Sequence, residues 1–319
     1  MSGEPAAGRQ VEVSVVVPVY GCGSCLHVLH ERLKAALGSS TTSHELVFVD
    51  DRSPDDAWPQ LRRLAARDPA VRAYRLSRNF GQHAAITAGL AQARGQWVVV
   101  MDCDLQDPPE EIPRLLARAK DGFDVVFALR KEKKHSLFRR LAGKVYFGLM
   151  NAFNRTHLEG RYGTFSLLSR RVVDAFLALG DRERHYLLIL HWLGFATSEI
   201  DYEHASRHSG ESSYTLKRLI RHALSGMFFQ TTVLLRWIVY LGFSVSFAGV
   251  ALASWFLFQY FAHDVPPGYT SLAVLILLIG GFIISSTGIT GLYIGRIFEQ
   301  VKGRPLYVVD RAIEGGAER

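Results

Sequence analysis

Two stretches of this 319-residue chain contain no Asp, Glu, Lys or Arg: Trp237 to His263 and Val265 to Gly295. Each exceeds the ~20 residues that a helix needs to cross a bilayer, and lone helices of a soluble core run shorter, so two spanning helices are expected. The connector "AHDVPPGYT" has no Lys or Arg, whereas Lys217, Arg218, Arg221 and Arg236 precede the first run and Arg296, Lys302 and Arg304 follow the second. The positive-inside bias therefore puts both flanks in the cytoplasm and the connector outside. The opening residues, "MSGEPAAGRQ", lack the apolar core of a signal peptide, so the part before the spans is expected to stay cytoplasmic. Cysteine is scarce, with three in all, expected to be reduced in that compartment. Cys22 and Cys25 form a C-x-x-C, but no second pair completes a zinc site, and the spacing reads as chance in a loop.

Glycine-rich nucleotide motifs are missing as well. Gly21 and Gly23 are followed by Leu26 where the third glycine of G-x-G-x-x-G belongs, and there is no P-loop, which argues against a dinucleotide site.

What is present is basic and apolar: net charge +7, 48% apolar residues and a mean hydropathy of +0.08. Leu137, Phe138, Leu141, Val145, Tyr146, Leu149 and Met150 share one helical face, with Arg139, Arg140 and Lys144 elsewhere. Leu216, Leu219, Ile220, Ala223, Leu224, Met227 and Phe228 repeat the pattern and lead into the first charge-free run. Such helices either pack on a core or lie in a membrane interface, drawn there by anionic lipids. Beside a membrane hairpin, the basic patches do not suggest a nucleic-acid partner.

The first half of the chain alternates strand-like runs, "VEVSVVVPVY", "ELVFVDD", "VRAYRLS" and "QWVVVMD", with helix-like stretches such as "HVLHERLKAAL" and "QHAAITAGLAQA". The pattern predicts a parallel sheet with crossover helices, whose ligands bind beyond the carboxyl ends of the strands. That edge collects Pro18 and Tyr20, Asp50 and Asp51, Ser77 to Gly81 with Asn79 among them, and Asp102 and Asp104. In "VVVMDCDLQDPPEEIP" strand alternation ends at the carboxylates, so both can turn toward one edge, with Gln106 as a neutral oxygen. Such a set suits a hard cation shared with phosphates. Asp50 and Asp51 also fit a plain helix start, with Ser53 as cap of "PDDAWPQLRRLA".

The series "VVVPVY", "VDDRSPDD", "SRNFGQHAAITAGL", "MDCDLQDPPEEIP" and "RHSGESSYTLKRL", closed by two apolar runs and "YIGRIFEQVKGRPLYVV", resembles the polyprenyl-phosphate glycosyltransferases of family two, relatives of dolichol-phosphate mannose synthase. The likeness runs from about Val11 to Val309. It implies an α/β GT-A (Rossmann-like) catalytic domain over 11–215 after a flexible 1–10. An amphipathic interface helix at 216–235, a two-span hairpin at 236–296 and a cytoplasmic tail at 297–319 would follow. The activity implied is inverting transfer of one sugar from a nucleotide-sugar to a polyprenyl phosphate at the inner face of the plasma membrane, for cell-envelope glycan or glycolipid modification. Membrane lipids would be partners, and a homo-oligomer is compatible with the pattern.

Carried over by position, Pro18, Tyr20, Asp50, Asp51, Asn79, Gly81 and Asp102 would hold the nucleotide-sugar. Asp102, Asp104 and Gln106 would hold Mg2+ or Mn2+. Asp104, Arg130, Arg207 and Tyr214 would serve the reaction around the phosphates and the acceptor. Two positions depart from the family. Thr164 in "GTFSLLS" stands where many relatives carry Asp, and Ser213 where they often carry Lys before the Tyr. A lipid monophosphate is largely dianionic at neutral pH and needs no base to attack. The alternatives are a family-two transferase with another acceptor, such as a diacylglycerol or a polysaccharide, and a non-catalytic membrane subunit. Gln230 lies too far from Arg236 and Trp237 to form the Q-x-x-R-W of processive synthases.

Overall fold

A computed structural model describes residues 11–131 (except 39 and 42), 161–203 (except 183), 269–319 and scattered positions between 238 and 258. Two compact units are distinguished, one within 1–143, 156–213 and 304–319, the other within 144–155 and 214–303.

The first unit is a nine-stranded sheet between helices. In chain order it comprises β1 (Val13–Val19), α1 (Leu26–Gly38), β2 (His44–Asp50), α2 (Ala57–Arg67), β3 (Val71–Leu76), α3 (Gln82–Gln92), β4 (Trp97–Val100), α4 (Ile112–Lys120) and β5 (Val125–Arg130). Then follow β6 (Tyr162–Ser169), α5 (Arg170–Ala178), α6 (Tyr186–Leu193), β7 (Thr197–Tyr202), β8 (Val309–Glu314) and β9 (Ala317–Glu318). The spatial order is β7-β5-β6-β4-β1-β2-β3-β8-β9.

The valine-rich runs form the expected parallel centre, β4-β1-β2-β3, because strands covered on both faces read as continuous apolar segments. Val13, Val15, Val17 and Val19 of β1 face α1, α2 and α4, while Val16 joins Ile86, Leu90, Val172 and Phe176 on the other side. Two features go beyond the parallel expectation. β6 runs antiparallel between β4 and β5. Residues 309–314, assigned to a tail in the sequence reading, pair antiparallel with β3 as β8 and bury Ile313 in the core. Arg72 anchors that edge: it meets Glu45 at 2.9 Å and Glu314 at 2.6 Å, and Tyr74 also donates to Glu314.

The second unit contributes one long described helix, α7 (Tyr269–Val301), 33 residues or about 50 Å. Residues 269–271, 273–274, 277–278 and 296 of it have no described side chain. Over the described residues no helix of the chain is long and apolar enough to cross a membrane. Most of the first expected span, both expected interface helices, Arg207, Ser213 and Tyr214 lie outside the described residues.

Candidate active site

Strand register brings the ends of β1, β2, β3 and β4 to one edge: Val19 lies beside Asp50, Asp50 beside Arg75, and Val16 beside Val100. The loops leaving these ends carry the residues singled out by sequence.

Asp50 and Asp51 are buried. Asp50 accepts the Ser53 backbone N–H at 2.7 Å, with Arg75 Nε 3.6 Å from its other oxygen. Asp51 accepts two backbone N–H groups, Phe80 at 2.7 Å and Gly81 at 2.8 Å. It thereby ties the end of β2 to the loop after β3, where Asn79 is exposed. Gly81 sits there at φ +95°, a conformation that side-chain-bearing residues rarely adopt. Burial pushes both carboxyls above their ordinary range, and the donated N–H groups oppose it. Ser53 does not cap α2: its hydroxyl accepts from Gly21 N–H and donates to Asp55, and α2 begins at Ala57. Pro18 is buried within β1 opposite Val49, whereas Tyr20 is 54% exposed at the rim.

The acidic turn follows β4. Asp102 Oδ1 accepts from Gln82 at 2.7 Å and from the Thr164 hydroxyl at 2.9 Å, and Asp104 Oδ1 accepts from the Gln106 backbone at 3.2 Å. Leu105 between them has φ +62°, a strained left-handed conformation for a residue with a branched side chain. Asp102's carboxyl is pushed up to about 7, first by burial and then by the charges of Asp107 and Asp104; Thr164 and Arg130 act the other way. Thr164 is thus a hydroxyl donor to the acidic turn. Arg130, at the end of β5, lies within electrostatic reach, and despite the burial its charge is favoured by Asp107 and Tyr202.

Among the described residues no group of three or more His, Cys, Asp or Glu side chains is arranged to hold a metal ion. Asp102 and Asp104 alone would leave most ligand positions of a Mg2+ or Mn2+ ion to phosphate oxygens and water, the usual division for such ions. Asp102 and Asp104 share one turn with the buried Asp107, and a divalent cation would offset that concentration of carboxylates, so the residues present fit one.

The cysteines are not all reduced, contrary to the expectation from a cytoplasmic domain. Cys22 in the β1–α1 loop is bonded to Cys103 between the two acidic residues, with Cα atoms 6.4 Å apart, and Cys25 is free and buried. Because β1 and β4 are neighbouring parallel strands, their exit loops meet, a proximity that cytoplasmic composition arguments do not see. Sequence reasoning also passed over Gln82, Asp107 and Tyr202. Asp107 stood in the quoted motif, but nothing in the sequence tied it to Tyr202, 95 residues away.

The family model described as glycosyl transferase family 2 matches residues 14–177. The uncharacterized glycosyltransferase YkcC of Bacillus subtilis (strain 168) is 33% identical over 308 residues, covering 95% of each chain. The undecaprenyl-phosphate 4-deoxy-4-formamido-L-arabinose transferase of Yersinia pestis (strain Pestoides F) is 36% identical over 318 residues, covering 97% of this chain and 95% of that one. Among solved structures, glucosyl-3-phosphoglycerate synthase from Mycobacterium tuberculosis in complex with Mn2+, UDP and phosphoglyceric acid superposes with a TM-score of 0.49 at 17% identity, over 69% of this chain and 78% of that one.

Proposed function

The chain belongs to glycosyl transferase family 2, and from that premise we propose that this glycosyltransferase moves one sugar, with inversion, from a nucleotide-sugar to a polyprenyl phosphate at the cytoplasmic face of a membrane. Relatives at 34% to 36% identity across nearly the full chain are named for transfer to undecaprenyl phosphate, which supports the acceptor class. The observation that carries the reading is the acidic turn after β4, with Thr164 and not a carboxylate beside it.

Asp102 and Asp104 would hold Mg2+ or Mn2+ against the donor diphosphate, and when bound the ion offsets charge developing on the leaving nucleoside diphosphate. Gln82 and Thr164 fix Asp102 from two sides. Asp51 holds the 80–81 backbone, and with it the loop proposed to line the nucleotide alongside Tyr20 and Asn79. Arg130 meets phosphate charge. An acceptor phosphate oxygen bonds to the anomeric carbon as the bond to the diphosphate breaks on the opposite face, inverting the centre. An alcohol acceptor would have to lose a proton to a base within reach; Thr164 cannot take it. A dianionic phosphate, which needs no base, is therefore proposed as the acceptor in preference to a diacylglycerol or a sugar hydroxyl, in line with the relatives' names. Arg207 and Tyr214 are proposed for the acceptor phosphate.

The two charge-free runs are proposed as a membrane hairpin with the transferase domain on the cytoplasmic side. A Gly268→Cys substitution should then react with an impermeant thiol reagent in intact cells. Protection there with labelling of Lys302→Cys would reverse the orientation.

The activity is tested by incubating the purified chain and Mn2+ with undecaprenyl phosphate and a panel of UDP- and GDP-sugars, then weighing the lipids. A lipid gaining one sugar from one donor supports the reading. Donor hydrolysis without any glycosylated lipid would refute it.

A further inference from the structure

Asp107 closes the acidic turn, and the transfer chemistry above does not use it. It is fully buried, with Oδ1 accepting from the Tyr202 hydroxyl at 2.5 Å and lying 3.6 Å from Arg130 Nη2. Tyr202 accepts in turn from Arg130 Nε at 3.3 Å. The three side chains form a relay, guanidinium to phenol to carboxylate, assembled by the parallel pairing of Arg130 in β5 with Tyr202 in β7. The phenol is packed edge-on to Phe165, ring centroids 5.6 Å apart, next to Thr164.

Gly163 completes the seat. A Cβ at this position would stand 3.2 Å from Arg130 Nη2 and 3.3 Å from Cζ and Nε, so any side chain would press on the guanidinium. Arg130 is therefore held along its Nε–Nη2 edge and against one face, and among the described residues its Nη1 group makes no hydrogen bond.

As a folding device the arrangement is poor. The Asp107 Oδ2 atom is buried without a hydrogen-bond partner, and a buried charge pair of imperfect geometry returns little or none of its desolvation cost. What it does provide is one fixed orientation of a cation, the condition for stabilising charge as it develops without reorganisation. We propose that Asp107 and Tyr202 are positioning residues for Arg130: they hold its guanidinium in a single pose and leave Nη1 for an anionic phosphate oxygen. This rests on the reading of Arg130 as the residue that meets phosphate charge.

The test is a double-mutant cycle on the full-length enzyme, with undecaprenyl phosphate and the nucleotide-sugar that the wild type turns over. Arg130→Ala should damage one kinetic parameter, and whether that is tied to the donor or to the lipid identifies the phosphate concerned. Asp107→Asn and Tyr202→Phe should each damage the same parameter by about tenfold, less than Arg130→Ala does. In the Arg130→Ala background each should change it by less than about twofold, because the residue they act through is gone. Tyr202→Phe keeps the ring against Phe165 and removes only the hydroxyl, so it carries the test if Asp107→Asn melts early. Losses that add to that of Arg130→Ala, or that fall on a different parameter, would overturn the positioning role while leaving the transfer reading intact. An Arg130→Ala enzyme as active as the wild type would overturn both.

Discussion

Replacing Thr164 asks whether this site needs a base. Its hydroxyl donates to Asp102 Oδ1 at 2.9 Å, and Gln82 donates to the same oxygen. Thr164→Ala removes one hydrogen bond to a charged acceptor, about 1.5–3 kcal/mol at most, and Gln82 remains. Turnover should fall roughly three- to tenfold, with part of the loss recovered by more Mn2+. Thr164→Asp puts a second negative charge near Asp102. At ~4 Å and an effective dielectric of ~20 the repulsion is about 4 kcal/mol, or roughly three pKa units. Burial and the charges of Asp107 and Asp104 already push the Asp102 carboxyl up, so a further carboxylate makes the pair harder to ionise. Thr164→Asp should therefore be slower than the wild type near pH 7 and gain on it as pH rises. Steady-state turnover on undecaprenyl phosphate measures both variants. A hundredfold gain in Thr164→Asp at neutral pH, or an inactive Thr164→Ala that folds normally, would refute the reasoning that the acceptor is its own nucleophile.

Asp104→Ala should abolish turnover without lowering the melting temperature, and EDTA should do the same to the wild type; full activity in chelator would remove the metal assignment. Glu314 is held down at about 2 by hydrogen bonds from Tyr74 and Arg72, against an ordinary 4.5. Its contribution to stability is therefore complete above pH 4.5 and lost as pH falls toward 2. The melting gap between the wild type and Glu314→Gln should narrow over that window, and a gap that widened in acid would contradict the assignment. The Cys22–Cys103 bond closes a sequence separation of 81, which chain entropy makes worth about 4 kcal/mol. Reduction should lower the melting temperature by roughly 10 °C; three alkylatable thiols in the unreduced, denatured chain, where the bond leaves Cys25 alone, would count against it.

The parallel centre of the sheet was legible because its strands are short β-branched runs bounded by turn residues and separated by helical spacing. The positions of Asp50, Asp51, Asp102 and Asp104 followed from the rule that ligands gather at strand ends. What stayed hidden was non-local. "YGTFSLLS" has the composition of a strand, but nothing local states that it inserts antiparallel between β4 and β5. The pairing of residues 309–314 with β3 depends on Ile313 finding a core more than two hundred residues upstream. Asp51 illustrates a different blind spot: its motif signals a ligand, while both of its oxygens bind backbone, so any part in nucleotide binding acts through the loop it shapes. Tyr202, a partly apolar strand residue by sequence, acquires a role only through its register with Arg130.

The central claim is that a lipid phosphate attacks the sugar directly. The most direct measurement compares undecaprenyl phosphate with undecaprenol as acceptors for the purified chain, with saturating donor and Mn2+ and mass analysis of the lipids. The account predicts a sugar-phosphate lipid from the first and no glycosylated product from the second. Comparable glycosylation of undecaprenol would contradict it.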